Sequence, residues 1–325
     1  MNPPVLSSSP APRDASKKLV LFHRDFRAFT GGHLKVWDYF NHVGASPDYE
    51  PRVAFSEGSK WDATNPWFGS PGYIAEWEPD NADVLFLAGT DWQTVRAGLG
   101  DNKPIINLIQ HQRHAEKGSE LYGFLKNRAL RICVSNAVAD AIKSTGQVNG
   151  PVFVNPNGIE LGSLPKGKPY DRRSVDVIVS GLKAPQLARD VAAAISSDKR
   201  TVECLTDWIP RAEYLARLAD ARIAVVLPRP VEGFYLPALE AMGCAAVVIC
   251  PDCGGNRDFC HDAVNCFRPR YDMKEIVSAV SQALQQSQSE NAKMQQHAKE
   301  TALGHSLETE RANFLRILAR AKELW

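Results

Sequence analysis

The chain has 325 residues, of which 44% are hydrophobic and 23% charged, and a formal net charge of +1. That length suits about two domains with buried cores of their own, and the composition is that of an ordinary globular protein. The charge balance supplies no field to gather nucleic acid, and no window holds the roughly eighteen unbroken apolar residues of a membrane span.

Residues 1–16 are rich in Pro, Ser and Ala and lack the apolar run of a secretory signal, so they read as a disordered lead-in to a cytoplasmic protein. Seven cysteines, an odd number scattered among expected buried strands, suit a reducing compartment. Cys250, Cys253, Cys260, His261 and Cys266 superficially resemble zinc or redox spacing, but they fall on expected strands and a helix, where cysteine packs as a small apolar residue. No metal is therefore expected.

Residues 18–23 form an apolar run, followed by a loop ending in Thr30-Gly31-Gly32 and a helical pattern over 33–42. Without a Cβ, glycines at such a turn let the backbone approach a ligand closely. A strand over 52–55 leads into a long irregular segment, 56–80, which carries Trp61, Trp67, Phe68, Tyr73 and Trp77. Two readings stay open: indole faces that stack on the apolar faces of a sugar acceptor, or a loop pinned to the core by its aromatics. A strand over 83–88, a short helix over 92–99 and a strand over 104–109 follow. The last runs into His111 and His114, at the strand end where open parallel sheets bind ligands. Strands over 131–134 and 151–154 flank a helix over 136–145 capped by Ser135 or Asn136. A Gly-, Pro- and Lys-rich linker over 161–170 marks the domain boundary.

The second half repeats the alternation: strands over 175–179, 201–205 and 223–227, with helices over 185–195 and 210–218 between them. Such alternation argues for parallel βαβ sheets. After Pro228 and Pro230 comes Glu232-Gly-Phe-Tyr-Leu-Pro-Ala-Leu-Glu240, where Pro237 sits in a first helical turn and Glu240 one turn further in. This is a strand, a loop bearing one carboxylate, and a helix start bearing another. The helix N-terminus suits a diphosphate, Glu240 could accept ribose hydroxyls, and Glu232 would face what lies beyond the phosphates. Strands over 245–249 and 263–267 and a helical stretch from Met273 complete the chain.

The spacing of Glu232 and Glu240 resembles the donor-site motif of retaining GT-B glycosyltransferases of family 4, the glycogen-synthase-like group. Gly31-Gly32, Ile132–Val138, Asn155–Glu160 and Gly254-Gly255 match in order. The resemblance implies an α/β fold of two Rossmann-like domains, their parallel sheets facing across a cleft. It implies an N-terminal acceptor-side domain over 17–163, a nucleotide-sugar domain over 164–305 and a helix over 306–325 crossing back. The implied activity is hexosyl transfer from a nucleotide-diphosphate sugar to an acceptor hydroxyl, with retention and no metal or cofactor. The partners would be that donor and a carbohydrate, lipid-linked or other small acceptor, with peripheral membrane contact allowed by the fold. The implied catalytic set is Glu232, His111 and Lys183. Donor binding falls to Gly31, Gly32, Lys183, Ile209, Arg229, Phe234, Tyr235, Leu236 and Glu240. The family's usual Arg after the first strand of the second domain is absent from Ser180–Gln186, leaving Lys183 with help from Arg229, or more weakly Arg189. A catalytically silent nucleotide-sugar binder and a GT-B-type sugar-nucleotide epimerase are the alternatives.

Overall fold

A computed structural model describes residues 12–96, 98–99 and 102–325. They divide into two compact units, Met1–Pro156 with Glu310–Trp325, and Asn157–Thr309. Of the lead-in expected over 1–16, the first eleven residues lie outside the described residues. Arg13 and Asp14 are held against the first unit, Arg13 pairing with Asp83 at 3.4 Å and the Asp14 N–H donating to Glu50 at 2.8 Å.

In the first unit the elements are β1 (Lys18–Arg24), α1 (Gly31–Gly44), β2 (Tyr49–Phe55), β3 (Val84–Ala88), β4 (Ile105–Ile109), α2 (Glu120–Gly123), β5 (Leu130–Cys133), α3 (Asn136–Ser144) and β6 (Val152–Val154). The six strands form one sheet in the order β2-β1-β3-β4-β5-β6, every pairing parallel. β1, β3 and β4 are buried almost throughout, as unbroken apolar runs demand of strands covered on both faces. Thr30 caps α1, accepting from the His33 N–H at 3.3 Å, and Ser135 caps α3, accepting from Val138 at 3.2 Å. Among the described residues no α-helix spans 92–99, where one is expected. A 3-10 turn, Gly89–Thr94, takes its place because Asp91 reaches back to the Ala88 N–H at 2.8 Å and tightens the chain as it leaves β3.

The second unit contains β7 (Val175–Ser180), α4 (Pro185–Ile195), β8 (Val202–Leu205), α5 (Arg211–Asp220), β9 (Ala221–Val226), α6 (Leu236–Gly243), β10 (Val247–Ile249), α7 (Met273–Gln285) and α8 (Gln288–Gly304). Its parallel sheet runs β10-β9-β7-β8, with a core of Val177, Val179, Ile223, Val225 and Val247 beneath α4 and α7. Residues 263–267 do not form the expected strand. Ala263 has a φ of 58°, and the His261 carbonyl accepts from both Val264 and Asn265, making a tight turn. Only Phe267 then pairs with β10.

The units divide at Pro156, seven residues before the expected boundary, which follows from pairing. Ile159 bridges Ser306, and a Cβ on Gly158 would stand 2.4 Å from the Ser306 carbonyl oxygen, so this stretch packs inside the second unit. The expected linker is tied down as well. Arg173 donates to the carbonyls of Lys168, Ala221 and Cys244, and Lys168 pairs with Asp220.

The chain ends with α9 (Leu307–Ala319) and α10 (Ala321–Leu324). From Glu310 onward it belongs to the first unit. Phe314 meets Tyr39 edge-on at 4.8 Å, and the Leu318 carbonyl accepts from the Tyr49 hydroxyl at 3.1 Å. Burying Phe314 and Leu318 contributes about 1.5–3 kcal/mol each. None of the helices among the described residues is long and apolar enough to cross a membrane.

Candidate active site

β9 ends at Val226, and Pro228 and Pro230 prevent the strand from continuing, so the chain turns across the carboxyl edge of the second sheet before α6 begins at Leu236. Pro237 lies in the first turn of α6, and no side chain caps it, which leaves first-turn N–H groups for an anion.

Glu232 lies on this loop with 7% of its surface exposed. Lys183, from the turn between β7 and α4, donates its ammonium to both carboxylate oxygens, at 2.8 and 2.9 Å. The Arg229 N–H adds a bond to Oε1 at 3.1 Å, and the Glu232 N–H is fixed on the Cys253 carbonyl. The same ammonium lies 5.5 Å above the Tyr235 ring. The sequence reading set Lys183 against a diphosphate; the structure holds it on Glu232, making one anchored zwitterion of two expected site residues. The Arg229 side chain is exposed, and its contribution to Glu232 comes from its backbone.

Glu240, in α6, is buried, and burial raises its carboxyl above the ordinary glutamate value, partly offset by Arg211. Arg211, at the start of α5, donates Nε and Nη2 to Oε1 at 3.1 and 2.7 Å and Nη1 to the Ser163 hydroxyl at 3.0 Å. Oε2 accepts no hydrogen bond from the described residues, so one charged acceptor stays available. Arg211 escaped the sequence reading, and only its place at a helix start could have singled it out. Phe234 packs on Phe259 at 4.9 Å, Tyr235 is buried, and Ile209 is half-buried.

Asn256, also missed by the sequence reading, staples the turn after β10. Its side chain accepts from the Cys253 N–H at 3.2 Å and donates to the Pro251 carbonyl at 3.0 Å. Beside it, a Cβ on Gly255 would stand 2.6 Å from the Glu232 carbonyl oxygen and the Gly233 carbonyl carbon. These are backbone atoms that cannot rotate aside. Gly255→Ala should cost about 1–3 kcal/mol in a thermal melt and displace Glu232. An unchanged melting temperature would show that the loop yields freely.

In the first unit, Gly31 and Gly32 open α1. The Gly32 carbonyl accepts from Gln110 at 3.1 Å, which ties the start of α1 to the end of β4. His111 follows Gln110 and accepts the Arg113 N–H at 3.1 Å, capping the short 3-10 turn Gln112–Ala115. His114 is buried, and desolvation followed by the nearby Arg131 push its pKa down to about 4. Gly31, Gly32 and His111 thus share the carboxyl edge of the first sheet. Lys183, Ile209, Arg229, Glu232, Phe234, Tyr235, Leu236 and Glu240 gather at that of the second. The aromatic segment is pinned to the core at one place and lines a cavity at another. Trp67 is fully buried, 5.1 Å from Trp37, and pins the loop. Phe55, Trp61, Glu76 and Trp77 instead line a cavity of about 260 Å³.

Among the described residues no group of three or more His, Cys, Asp or Glu side chains is arranged to hold a metal ion. Six of the seven free cysteines are buried, and burial pushes the Cys260 thiol well above its ordinary value.

Residues 197–301 match the family model described as glycosyl transferases group 1. This stretch contains Arg211, Glu232, Glu240 and Gly255. No curated protein matches the chain by sequence. Among solved structures, the Anabaena protein HepE in complex with UDP is similar at 14% identity and a TM-score of 0.74, over 93% of this chain and 99% of that one. Sucrose-phosphate synthase from Thermosynechococcus elongatus is similar at 13% identity and 0.70, over 94% and 99%. The lipopolysaccharide outer core galactosyltransferase WaaB, in its apo form, is similar at 13% and 0.69, over 93% and 99%. The fold is GT-B.

Proposed function

We propose that the chain is a hexosyltransferase that moves a sugar from a nucleotide-diphosphate sugar to an acceptor hydroxyl, with retention and without a metal ion. One observation carries this reading. The Lys183–Glu232 pair and the half-free Glu240 stand at the carboxyl edge of a parallel sheet beside an uncapped helix start, and Glu232, Glu240 and that helix fall inside the group 1 segment. Neighbours solved with UDP and with UDP-glucose support a nucleotide sugar as donor.

In the proposed reaction the bond from the anomeric carbon to the diphosphate oxygen breaks, and its electron pair leaves with the diphosphate. Lys183 and the α6 N–H groups neutralise that charge. The anomeric centre becomes positive, and Glu232 stabilises it from its buried position. The acceptor oxygen bonds from the face the diphosphate leaves, which retains configuration, and its proton passes to the leaving phosphate. Glu240 Oε2 would accept a ribose hydroxyl. The cavity lined by Trp61 and Trp77 suits the apolar face of a sugar acceptor.

Thermal shifts with UDP and GDP test the reading. A nucleotide at about 100 times its dissociation constant adds about 2.7 kcal/mol of stability. Glu240→Ala removes one charged acceptor worth about 1.5–3 kcal/mol, so calorimetry should show roughly 10–100-fold weaker nucleotide binding. No shift with either nucleotide would overturn the proposal. Binding without sugar transfer across a panel of donors and acceptors would favour a silent nucleotide-sugar binder, the reading motivated by the family's usual Arg being absent from Ser180–Gln186.

A further inference from the structure

Where β1 and β3 end, the first sheet carries a polar network that the proposed chemistry leaves unused. Arg24, the last residue of β1, donates Nη1 to Asp91 Oδ2 at 2.7 Å and Nη2 to His33 Nδ1 at 2.7 Å. Asp91 is fixed in turn by the Ala88 N–H at 2.8 Å, and His23 Nδ1 lies 3.4 Å from its other oxygen. Arg24 and Asp91 are only 7% and 4% exposed, so the pair is a rigid, desolvated bracket. The Phe26 ring, 4.8 Å from that of His33, closes another side.

The bracket settles where the proton of His33 resides. A guanidinium has donors only, so Nδ1 must accept and the ring hydrogen sits on Nε2. Burial and then Arg24 push the pKa of His33 down to about 4, against smaller opposing effects of Asp91 and Asp25. The ring is therefore neutral at physiological pH. Nε2 has no hydrogen-bond partner among the described residues, and the half-buried ring follows Gly31-Gly32 at the start of α1, on the edge where parallel sheets bind ligands.

Resting on the glycosyltransferase reading, we infer that His33 is a substrate-binding residue whose Nε2–H donates to a substrate oxygen, with Arg24 positioning it through Nδ1. The acceptor is a phosphoryl oxygen of the donor or a hydroxyl of the sugar acceptor; both present the same lone pairs to a neutral N–H.

Long-range nitrogen–proton spectra of the full chain, with the His33 signals assigned by their loss in His33→Gln, read the ring directly. A neutral, Nε2-protonated ring that does not titrate between pH 8 and 5.5 is expected. An Nδ1-protonated ring, or one titrating near 6.5, overturns the inference. His33→Phe should lower kcat/KM for sugar transfer at least tenfold, while His33→Gln, which keeps an N–H near the Nε2 position, recovers most of it. Equal impairment of both variants would mark a packing role, and no impairment would mark none; either overturns the inference. Weaker UDP binding by His33→Phe in calorimetry assigns the contact to the donor, and an unchanged UDP affinity with a raised acceptor KM assigns it to the acceptor. Failure of the unaltered chain to bind UDP or GDP defeats the glycosyltransferase reading itself, whatever the spectra of His33 show.

Discussion

Glu232→Gln is expected to cut turnover at least a hundredfold while the protein folds and melts almost as before. The two halves of this expectation follow from different magnitudes. Lys183, the partner of Glu232, has 41% of its side chain exposed, and ion pairs open to water on one side contribute about 0–1 kcal/mol to stability. Against charge that develops during reaction, a pre-positioned group is worth about 3–4 kcal/mol, or roughly 10²–10³ in kcat. Glutamine keeps the shape and an acceptor for the Arg229 N–H but turns an amide toward the ammonium, so the zwitterion is lost. Lys183→Met should lose a similar factor and also weaken nucleotide binding. The double variant should be little worse than either single one, because each group is aligned by the other. Near-full turnover by Glu232→Gln would remove this carboxylate from the chemistry.

The parts legible in the sequence are those that local chemistry dictates. α4 runs over 185–195 as its periodicity indicates, and α6 starts one residue before Pro237, because an unbroken apolar strand, two prolines and a first-turn proline leave the backbone few options. What stayed hidden depends on which strands become neighbours. Arg211 reaches Glu240 across 29 positions, and Arg24 reaches Asp91 across 67. The first contact requires α5 and α6 to pack together, and the second requires β3 to pair beside β1. Periodicity reports neither event. The short segments depart from their apolar pattern for another reason. Around Asp91 and Asn265, side chains bind nearby backbone N–H groups and replace a helix and a strand by turns, a competition that apolar spacing does not register. The division of the chain was displaced because a Gly-, Pro- and Lys-rich stretch signals a linker only while nothing binds it, and Arg173 binds this one.

The largest effect on stability is expected from Glu310→Ala. Glu310 and Lys35 are 1% and 2% exposed and meet at 2.8 Å; Asp38 bonds the same ammonium at 2.8 Å, and His42 lies 3.6 Å from Glu310. Removing Glu310 takes away the more deeply buried of the two carboxylates that match the Lys35 ammonium and leaves it with Asp38 alone, which costs up to about 3–5 kcal/mol and should loosen α9 from α1. Replacing the pair and neutralising Asp38 with it, as Lys35→Met, Asp38→Asn and Glu310→Leu together, should recover most of that loss, since no charge is then left buried without a partner. The acid limb of stability gives the sign of the charges. Burial alone would raise the Glu310 carboxyl, but Lys35 and His42 outweigh it and the pKa ends below the ordinary value. Glu310 therefore stabilises the fold above its unfolded pKa near 4.5, and that contribution disappears as pH falls through its lower folded value. Asp38 acts in the opposite direction, because burial raises its pKa more than Lys35 lowers it. Its protonation relieves part of the strain on acidification, so Asp38→Asn should steepen the acid limb. Thermal melts of the three variants between pH 7 and 3 measure these terms, and a Glu310→Ala loss below 1 kcal/mol would mean that water reaches the pair.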